Sequence, residues 1–401
     1  MATMYNTSRG PTWDPMVVEI WPWDGDGPVG RLELSEKIEV TWADRGSGTV
    51  LIESPLTDLT RSLIPADGAM LVVVNLNGKR HVSSVVEAVP FAESDQIHDV
   101  RIRVATASPW SMLEGQLIPP VPDQPLSLQQ SAEEFVLTGP VETVVKRLVQ
   151  LGAARLGHPI QVQPDTGRGP TVTVRSRNDS VSDLVDKALA GTGYRLRLDA
   201  WLPGDGPVGD LPLTRPTIIA DVQPYRRQPG LVWSARAEEL EKWQLRHTRA
   251  TATRMIVGDK GEKTAQKFVE VVADDEPGSP WARREGYTSA SSDGDDLQQV
   301  GLDELAKTGP VVSADIAASP AAVWEFGSDG LYPRQYDVGD YASVELEGIG
   351  SIEQVITEVT ATLTPVSLTV VPKVATPDTR ERDLYSTVLD LDKRLGQQQR
   401  R

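Results

Sequence analysis

The chain has 401 residues, 39% of them apolar and 24% charged; 57 acidic side chains against 40 basic ones give a formal charge of −17, a surface that repels polyphosphate and argues against stable nucleic-acid binding. It contains no run of about 20 apolar residues and no basic-then-apolar leader, so neither a helical membrane span nor a secretion signal is expected. Cysteine is absent, which excludes disulfide staples, thiolate metal sites and a cysteine nucleophile.

A chain of this length is expected to hold two to four compact units. The opening MATMYNTSRGPT is polar and reads as an arm. From Met16 a β pattern begins. MVVEIW, RLELSE, IEVTWAD, GTVLIES, AMLVVVNL, HVSSVVEAVPF and DVRIRVAT alternate apolar and polar residues between turns. Asn77-Gly78 suits a tight hairpin, because both residues tolerate positive φ. These strands predict a closed or sandwiched β domain over residues 1–107, arm included. Residues 108–137 are rich in proline, at 119, 120, 122 and 125, and read as an extended connector.

The period changes at residue 138. Val141, Val144, Val145, Leu148 and Leu151 form one helical stripe ahead of Gly157. PIQVQP and TVTVRS read as short strands. Ser180 and Asp183 start a second helix with a capping-box pattern, closed by Gly191 and Gly193, and YRLRLDAWL is a strand. An α-β-β-α-β domain over 138–202 results. Residues 203–375 return to β, with strands at TIIADVQPY, QLRHTRATATRMIVG, RREGYTSAS, PVVSADIA, AVWEF, DYASVELE, SIEQVITEVTATLT and SLTVVPK, and a helix near 296–307. The fold class predicted is mainly β with α+β insertions: two β-rich regions flank a small α/β domain, a duplicated architecture without a clean residue-level repeat.

Within that second region, MIVGDKGEKTA (255–265) has the glycines and Lys-Thr of a phosphate loop in the wrong spacing. Glu262 separates Gly261 from Lys263, placing a carboxylate where phosphates would lie. A hairpin is the better reading, with Phe268, Glu270 and Val272 on one face of the return strand and Val269, Val271 and Ala273 on the other. In 376–401, Leu384, Val388, Leu391 and Leu395 are spaced as a coiled-coil seam. Barely two heptads are present, so the helix either packs on its own body or zips with copies already held together.

Chemistry is sparse. His81, His98, His158 and His247 form no close pair and no H-E-x-x-H, and G-x-S-x-G is absent. Asp24 and Asp26 sit in a turn without later ligands. Asp293, Asp295 and Glu304 match part of an EF-hand loop, but Leu297 and Gln298 stand where an oxygen ligand and a glycine belong. No catalytic, cofactor or metal residue is therefore assigned. Ten tryptophans against four phenylalanines, with Trp13, Trp21 and Trp23 close together, suit core packing or a subunit contact better than a sugar platform.

The succession of segments resembles the tail hub, or hub-like minor tail, proteins of siphophages infecting actinobacteria. The resemblance rests on DVRIRVATASPWSMLEGQLIPP, the hairpin of 253–274 followed by PWARREGYTSAS, DLQQVGLDELAKTG, and YDVGDYASVELEGIGSIEQVITEVTATLTPVSLTVVP, in that order over most of 14–375. It implies a non-enzymatic virion protein of the tail tip, assembled in the host cytoplasm. It further implies a homotrimer whose two tail-tube-like β-barrels per chain form a pseudo-sixfold ring at the end of the tail tube. The implied partners are the distal tail protein, the tape measure protein and tail-tip or fibre proteins. Phage DNA would pass through the lumen, and no cofactor is implied. Two rival expectations stand beside it: a cell-wall hydrolase using two carboxylates, and a carbohydrate-binding tail protein using the Trp13–Trp23 cluster.

Overall fold

In the computed structural model, the residues described are 16–32, 37–46, 48–92, 99–259, 261, 265–290, 296–319, 324–327 and 334–375. The coiled-coil seam of Leu384, Val388, Leu391 and Leu395 lies outside them, as do Trp13, His98, Asp293 and Asp295. The described residues up to Leu245 and from Ser313 to Ala375 form one compact unit; Arg246–Val312 belong to a second.

The first unit is mainly β. Its first region contains strands Met16–Pro22, Lys37–Ala43, Val50–Pro55, Met70–Leu76, Lys79–Phe91 and Arg101–Ala107. Alternation drives them: in Lys37–Ala43, Ile38, Val40 and Trp42 are buried while the residues between are not. The Asn77-Gly78 turn takes φ of 48° and 75°, as the sequence predicts, and joins Met70–Leu76 to Lys79–Phe91. The first residue of the expected strand RLELSE, Arg31, lies in the short strand Gly30–Arg31 against Met16–Pro22, and residues 33–36 lie outside the described residues.

The second region contains Arg226–Ser234, Leu240–Thr248, Val311–Ala318, Asp340–Leu346, Gly350–Thr364 and Ser367–Ala375. Arg226–Ser234 escapes sequence reading because Pro229 and Gly230 interrupt it, and its pairing with Asp340–Leu346 slips at that point. Trp233 on this strand is nonetheless fully buried, with its ring 5.1 Å from Tyr336.

The two regions share a strand order. In the first it runs 37–43, 50–55, 101–107, 79–91, 70–76, 16–22; in the second, 240–248, 311–318, 367–375, 350–364, 340–346, 226–234. Taken in sequence, the strands of each region occupy the same six places. The long strand in the fourth place slips against its third-place neighbour at the same point in both: after Val85 before Glu87, and after Ile356 before Glu358. Ser84 pairs with Ala107 as Val355 pairs with Ala375. One difference stands out: Met16–Pro22 runs antiparallel to its neighbour, whereas Arg226–Ser234 runs parallel to its own.

Glu358–Leu363 also pairs antiparallel with Ala43–Ile38, so both regions belong to one 13-stranded sheet. Among the described residues this sheet is an open path. One core runs under both, from Met16 and Val40 to Val359 and Val374.

The α/β part forms its own core. The expected first helix runs Val141–Leu156 and ends at Gly157 with φ 69°. The second runs Val181–Leu189, with the Ser180 hydroxyl accepting from the Asp183 N–H. The two short strands between them do not pair with each other. Ile160–Val162 lies parallel to Thr217–Pro224, and Thr171–Ser176 lies antiparallel to Phe135–Pro140.

Thr217–Pro224, expected within the second β region, instead pairs with Tyr194–Trp201 and extends this α/β sheet past residue 202. The proline-rich stretch is not a plain spacer either. Trp110, Leu113 and Ile118 are buried in the α/β core, because these apolar residues ahead of the prolines gain more from burial than an extended path would allow.

The second unit holds the hairpin Arg254–Gly258 with Phe268–Val272. Phe268, Glu270 and Val272 are exposed while Val271 is buried, as expected from alternation. Glu285–Ser289 adds parallel to Arg254–Gly258. The expected helix is Leu297–Thr308, capped by the Asp296 carboxylate, and Leu305 packs with Met255, Val257 and Val271. The stretch QLRHTRATATRMIVG, read as one strand, is two: Leu240–Thr248 and Arg254–Gly258.

Candidate functional site

The described residues hold charged constellations rather than a nucleophile beside a base. In the first unit a crevice of about 90 Å³ is lined in part by Asp44, Arg80, His81, Arg195, Arg197 and Asp199. The strand Tyr194–Trp201 brings Arg195, Arg197 and Asp199 to this lining, and Leu196 on the same strand is also part of the α/β core.

Each charge is answered. Asp44 accepts from the Tyr225 hydroxyl at 2.7 Å and lies 2.8 Å from Arg195 Nε. Arg195 Nη1 donates to the Val338 carbonyl. Gly339 makes that approach feasible: a Cβ there would fall 1.4 Å from Arg195 Nη1, and its φ is +87°. Lys79 Nζ reaches Asp337 at 2.7 Å. Arg80 grips both oxygens of Asp205 at 2.5 and 3.0 Å, and Arg226 those of Asp340 at 2.6 and 2.5 Å.

Burial would raise the Asp337 carboxyl, but the charges of Lys79 and Arg195 outweigh it and hold it below the usual range. Burial raises the Tyr225 phenol, and the Asp44 charge adds to the rise. Tyr225 is thus a fixed neutral donor. Arg195 with Asp44 and Asp205 with Arg80 tie the α/β elements to the first β region, while Arg226 with Asp340 joins two strands of the second; the constellation has no poised acid and base.

His81 is buried at the crevice wall, edge-on to Trp42 at 5.9 Å. Burial pushes its pKa down to about 4, the Thr41 backbone pulls the other way, and the Lys79 charge adds to the lowering. Its neutral ring is a packing element at neutral pH.

A second constellation lies inside the α/β part, and the sequence reading did not find it. Glu142 is fully buried in the first turn of Val141–Leu156. It accepts from Lys146 Nζ at 2.6 Å, Arg168 Nε and Nη2 at 2.9 and 3.0 Å, the Arg168 N–H at 2.8 Å and the Thr166 hydroxyl at 2.8 Å. Lys146 also lies 2.8 Å from Asp221. Burial would raise the Glu142 carboxyl; the bonds from Arg168 and Lys146, then the Arg168 N–H and Thr166, hold it far below the usual range. The Glu-x-x-x-Lys spacing at a helix start was the available signal. Arg168 and Asp221 are distant in sequence and gave none.

The other sequence candidates separate. His158 Nδ1 pairs with Gln116 Nε2 at 2.6 Å, and His247 is exposed on Leu240–Thr248. In the glycine-rich stretch, the Asp259 carboxylate itself accepts from the N–H groups of Gly261 and Lys267, using donors that a phosphate would need. Among the described residues, no group of three His, Asp or Glu side chains is arranged to hold a metal ion.

Trp21 is 6% exposed and packs with Val73, Val82 and Leu202. Trp23 is 43% exposed, with the Arg215 guanidinium 5.2 Å from its ring. Trp21 cannot present a face to sugar. We expect Trp21→Ala to cost about 3 kcal/mol, the lower end for a large buried aromatic because this cluster is small, and Trp23→Ala to stay within about 0.5 kcal/mol. Urea denaturation of both variants checks this; equal losses would contradict the placement.

The fold is similar to those of solved phage tail proteins. The chain matches the 43 kDa tail protein of prophage MuSo2 from Shewanella oneidensis with a TM-score of 0.55 at 11% identity, covering 91% of this chain and 99% of that one. It matches the tail protein from Neisseria meningitidis MC58 with a TM-score of 0.53 at 11% identity, covering 91% and 97%. No curated relative matches the sequence. The chain belongs to the family described as Siphovirus ReqiPepy6 Gp37-like protein, matched over residues 17–372, which agrees with the resemblance to siphophage tail proteins drawn from the sequence.

Proposed function

We propose that this protein is the structural hub of a siphophage tail tip, a homotrimer that closes the end of the tail tube, adapts sixfold to threefold symmetry and gates genome passage. One observation carries the reading: two β regions with the same six-place strand order and the same slip lie in one chain, joined edge to edge. Three such chains offer six like β units, each completing one barrel, which a ring protein with one unit per chain cannot do in three copies.

The charge of −17 supports a lumen along which DNA slides, because few phosphate contacts release few counterions. The distal tail protein and tape measure protein would meet the ring, with fibre or tip proteins below. The paired carboxylates of the crevice and the buried Trp21 weigh against the hydrolase and sugar-binding readings.

The native mass of the purified full chain tests this. Three chain masses are expected, and an image of the particle's tail end should show the β units around a common axis. A single-chain mass at micromolar concentration would overturn the reading. Leu391→Asp is expected to weaken association or partner docking without altering the melting of the body. Unchanged mass and unchanged tail assembly would remove the 384–395 seam from the account.

A further inference from the structure

The second unit keeps one face of its sheet bare. Arg254–Gly258 is the middle strand, antiparallel to Phe268–Val272 and parallel to Glu285–Ser289. Leu297–Thr308 covers one face, where Leu305 meets Met255, Val257 and Val271. Alternation turns Ile256 and Gly258 to the other face, flanked by Phe268 and Val272 from one neighbour and by Tyr287 and Ser289 from the other. Phe268 is 57% exposed and Tyr287 59%.

Gly258 shapes this face. A Cβ there would lie 2.7 Å from Tyr287 Oη and 2.6 Å from Gln266 Nε2. Yet the register partner of Gly258 is Ser289, two residues beyond Tyr287. The phenol ring therefore lies along the sheet, reaching into the space that a side chain at 258 would fill, instead of standing off it. Its far end is pinned. The Tyr287 hydroxyl accepts from Gln266 Nε2 at 3.3 Å and from Ser289 Oγ at 3.0 Å, and Gln266 Nε2 also donates to the Asp259 carbonyl at 2.9 Å.

This cluster has hydrogen-bonding capacity left over. With both lone pairs engaged, the Tyr287 oxygen still carries its own proton; with both amide protons engaged, Gln266 still has its carbonyl oxygen. Among the described residues, neither meets a partner. A donor and an acceptor thus stand side by side at the end of an exposed aromatic ring.

Charge narrows the ligand. Arg254 is the one cation among the strand residues of this face, and it is already held by Glu276 at 2.5 and 3.0 Å and by Glu270 at 3.1 Å. Glu285 beside it is exposed. An anionic ligand would find no unpaired cation here, and a wholly apolar one would strand the hydroxyl and the amide. A ligand with apolar C–H faces and uncharged hydroxyls meets all of these conditions.

We propose that this face is a saccharide-binding platform. Phe268 and Tyr287 take the C–H faces of an uncharged sugar chain, while the Tyr287 proton and the Gln266 carbonyl bond to its hydroxyls. The two rings stand on the outer strands, two strand spacings or about 10 Å apart, so the ligand is an oligosaccharide and not a single sugar. The site does not involve Trp21, which is buried, and it does not depend on how many copies assemble.

Isothermal titration of the full chain with tetramers of glucose, N-acetylglucosamine, galactose and mannose tests this. At least one is expected to bind with a Kd of about 1 mM or tighter, and Tyr287→Ala and Phe268→Ala should each weaken it about tenfold or more. Trp23→Ala should leave it unchanged. Both platform rings are exposed, so the urea midpoints of these variants should stay in place. Tyr287→Phe keeps the ring and removes the proton, and its affinity should fall between those of wild type and Tyr287→Ala. No heat from any tetramer at millimolar concentration would overturn the proposal, as would binding that survives both alanine variants. A native mass lowered by Phe268→Ala, with no tetramer bound by the wild type, would assign the face to a second copy instead.

Discussion

Glu142→Leu is expected to destabilise the first unit by about 3–5 kcal/mol, the cost of removing one partner from a buried ionic network. The variant leaves Arg168 without its bidentate carboxylate and strips the Thr166 hydroxyl and Arg168 N–H of their acceptor. Lys146 keeps Asp221 at 2.8 Å and the Pro164 carbonyl at 2.9 Å, so the loss should not reach the full cost of an isolated buried ammonium. The loop over the helix start should loosen too. It is held there by the Val141 N–H to the Pro170 carbonyl and by Gly169, where a Cβ would come within 2.4 Å of Val141 Cγ1. Urea denaturation read by the signal of the α/β tryptophans gives the free energy; a loss under about 1 kcal/mol would mean that solvent reaches the network. Glu142→Gln, similar in shape, should fall between the two because it retains an acceptor but neither the charge nor its second oxygen.

The same network sets an acid limit. The Glu142 carboxyl is depressed in the folded state, so its contribution is present above its unfolded value of 4.5 and is lost as pH falls below it.

A second large effect is expected at higher pH, from His81. Its folded pKa of about 4 lies below the unfolded 6.5, so between those values the unfolded chain binds a proton that the folded chain refuses. Stability is therefore complete above pH 6.5 and falls by up to about 1.4 kcal/mol per pH unit toward pH 4, roughly 3 kcal/mol in all. The groups around the ring reinforce this direction: Lys79 lies on its own strand, and Arg80, Arg195 and Arg197 line the same crevice, with Asp44 and Asp199 opposing them. His81→Phe keeps a ring against Trp42 and removes the proton. The difference between wild type and variant should show a slope of one proton over that window. Parallel stability curves from pH 7 to 4 would show that the imidazole is not sealed from water.

The two effects are separable by pH. Acid unfolding should begin with His81 protonation, and Glu142 and Asp337 should contribute only in the carboxylate range, since both are depressed rather than raised.

Local pattern was legible wherever one face of a strand or helix is buried. The strands of the first β region, the two helices of the α/β part, the Asn77-Gly78 turn and the hairpin of the second unit all follow from period and turn chemistry, which neighbouring residues dictate. The failures share a cause. Arg226–Ser234 was missed because Pro229 and Gly230 break its local pattern, yet pairing with a distant strand restores it. The connector around Trp110 was read from its prolines, although its apolar residues find a core only when Val181–Leu189 and Val141–Leu156 fold beside them.

The sequence by itself determined that this is a mainly β, acidic, cysteine-free chain with a small α/β part between two β regions, and the order of its segments carried the phage-tail resemblance. Only the tertiary structure decided that the two β regions repeat one strand order, that Gly350–Thr364 stitches them together, and that Glu142, Lys146, Arg168 and Asp221 meet. Strand partners and buried ion pairs are fixed by contacts between residues far apart in the chain, and such contacts leave no period in the sequence that joins them.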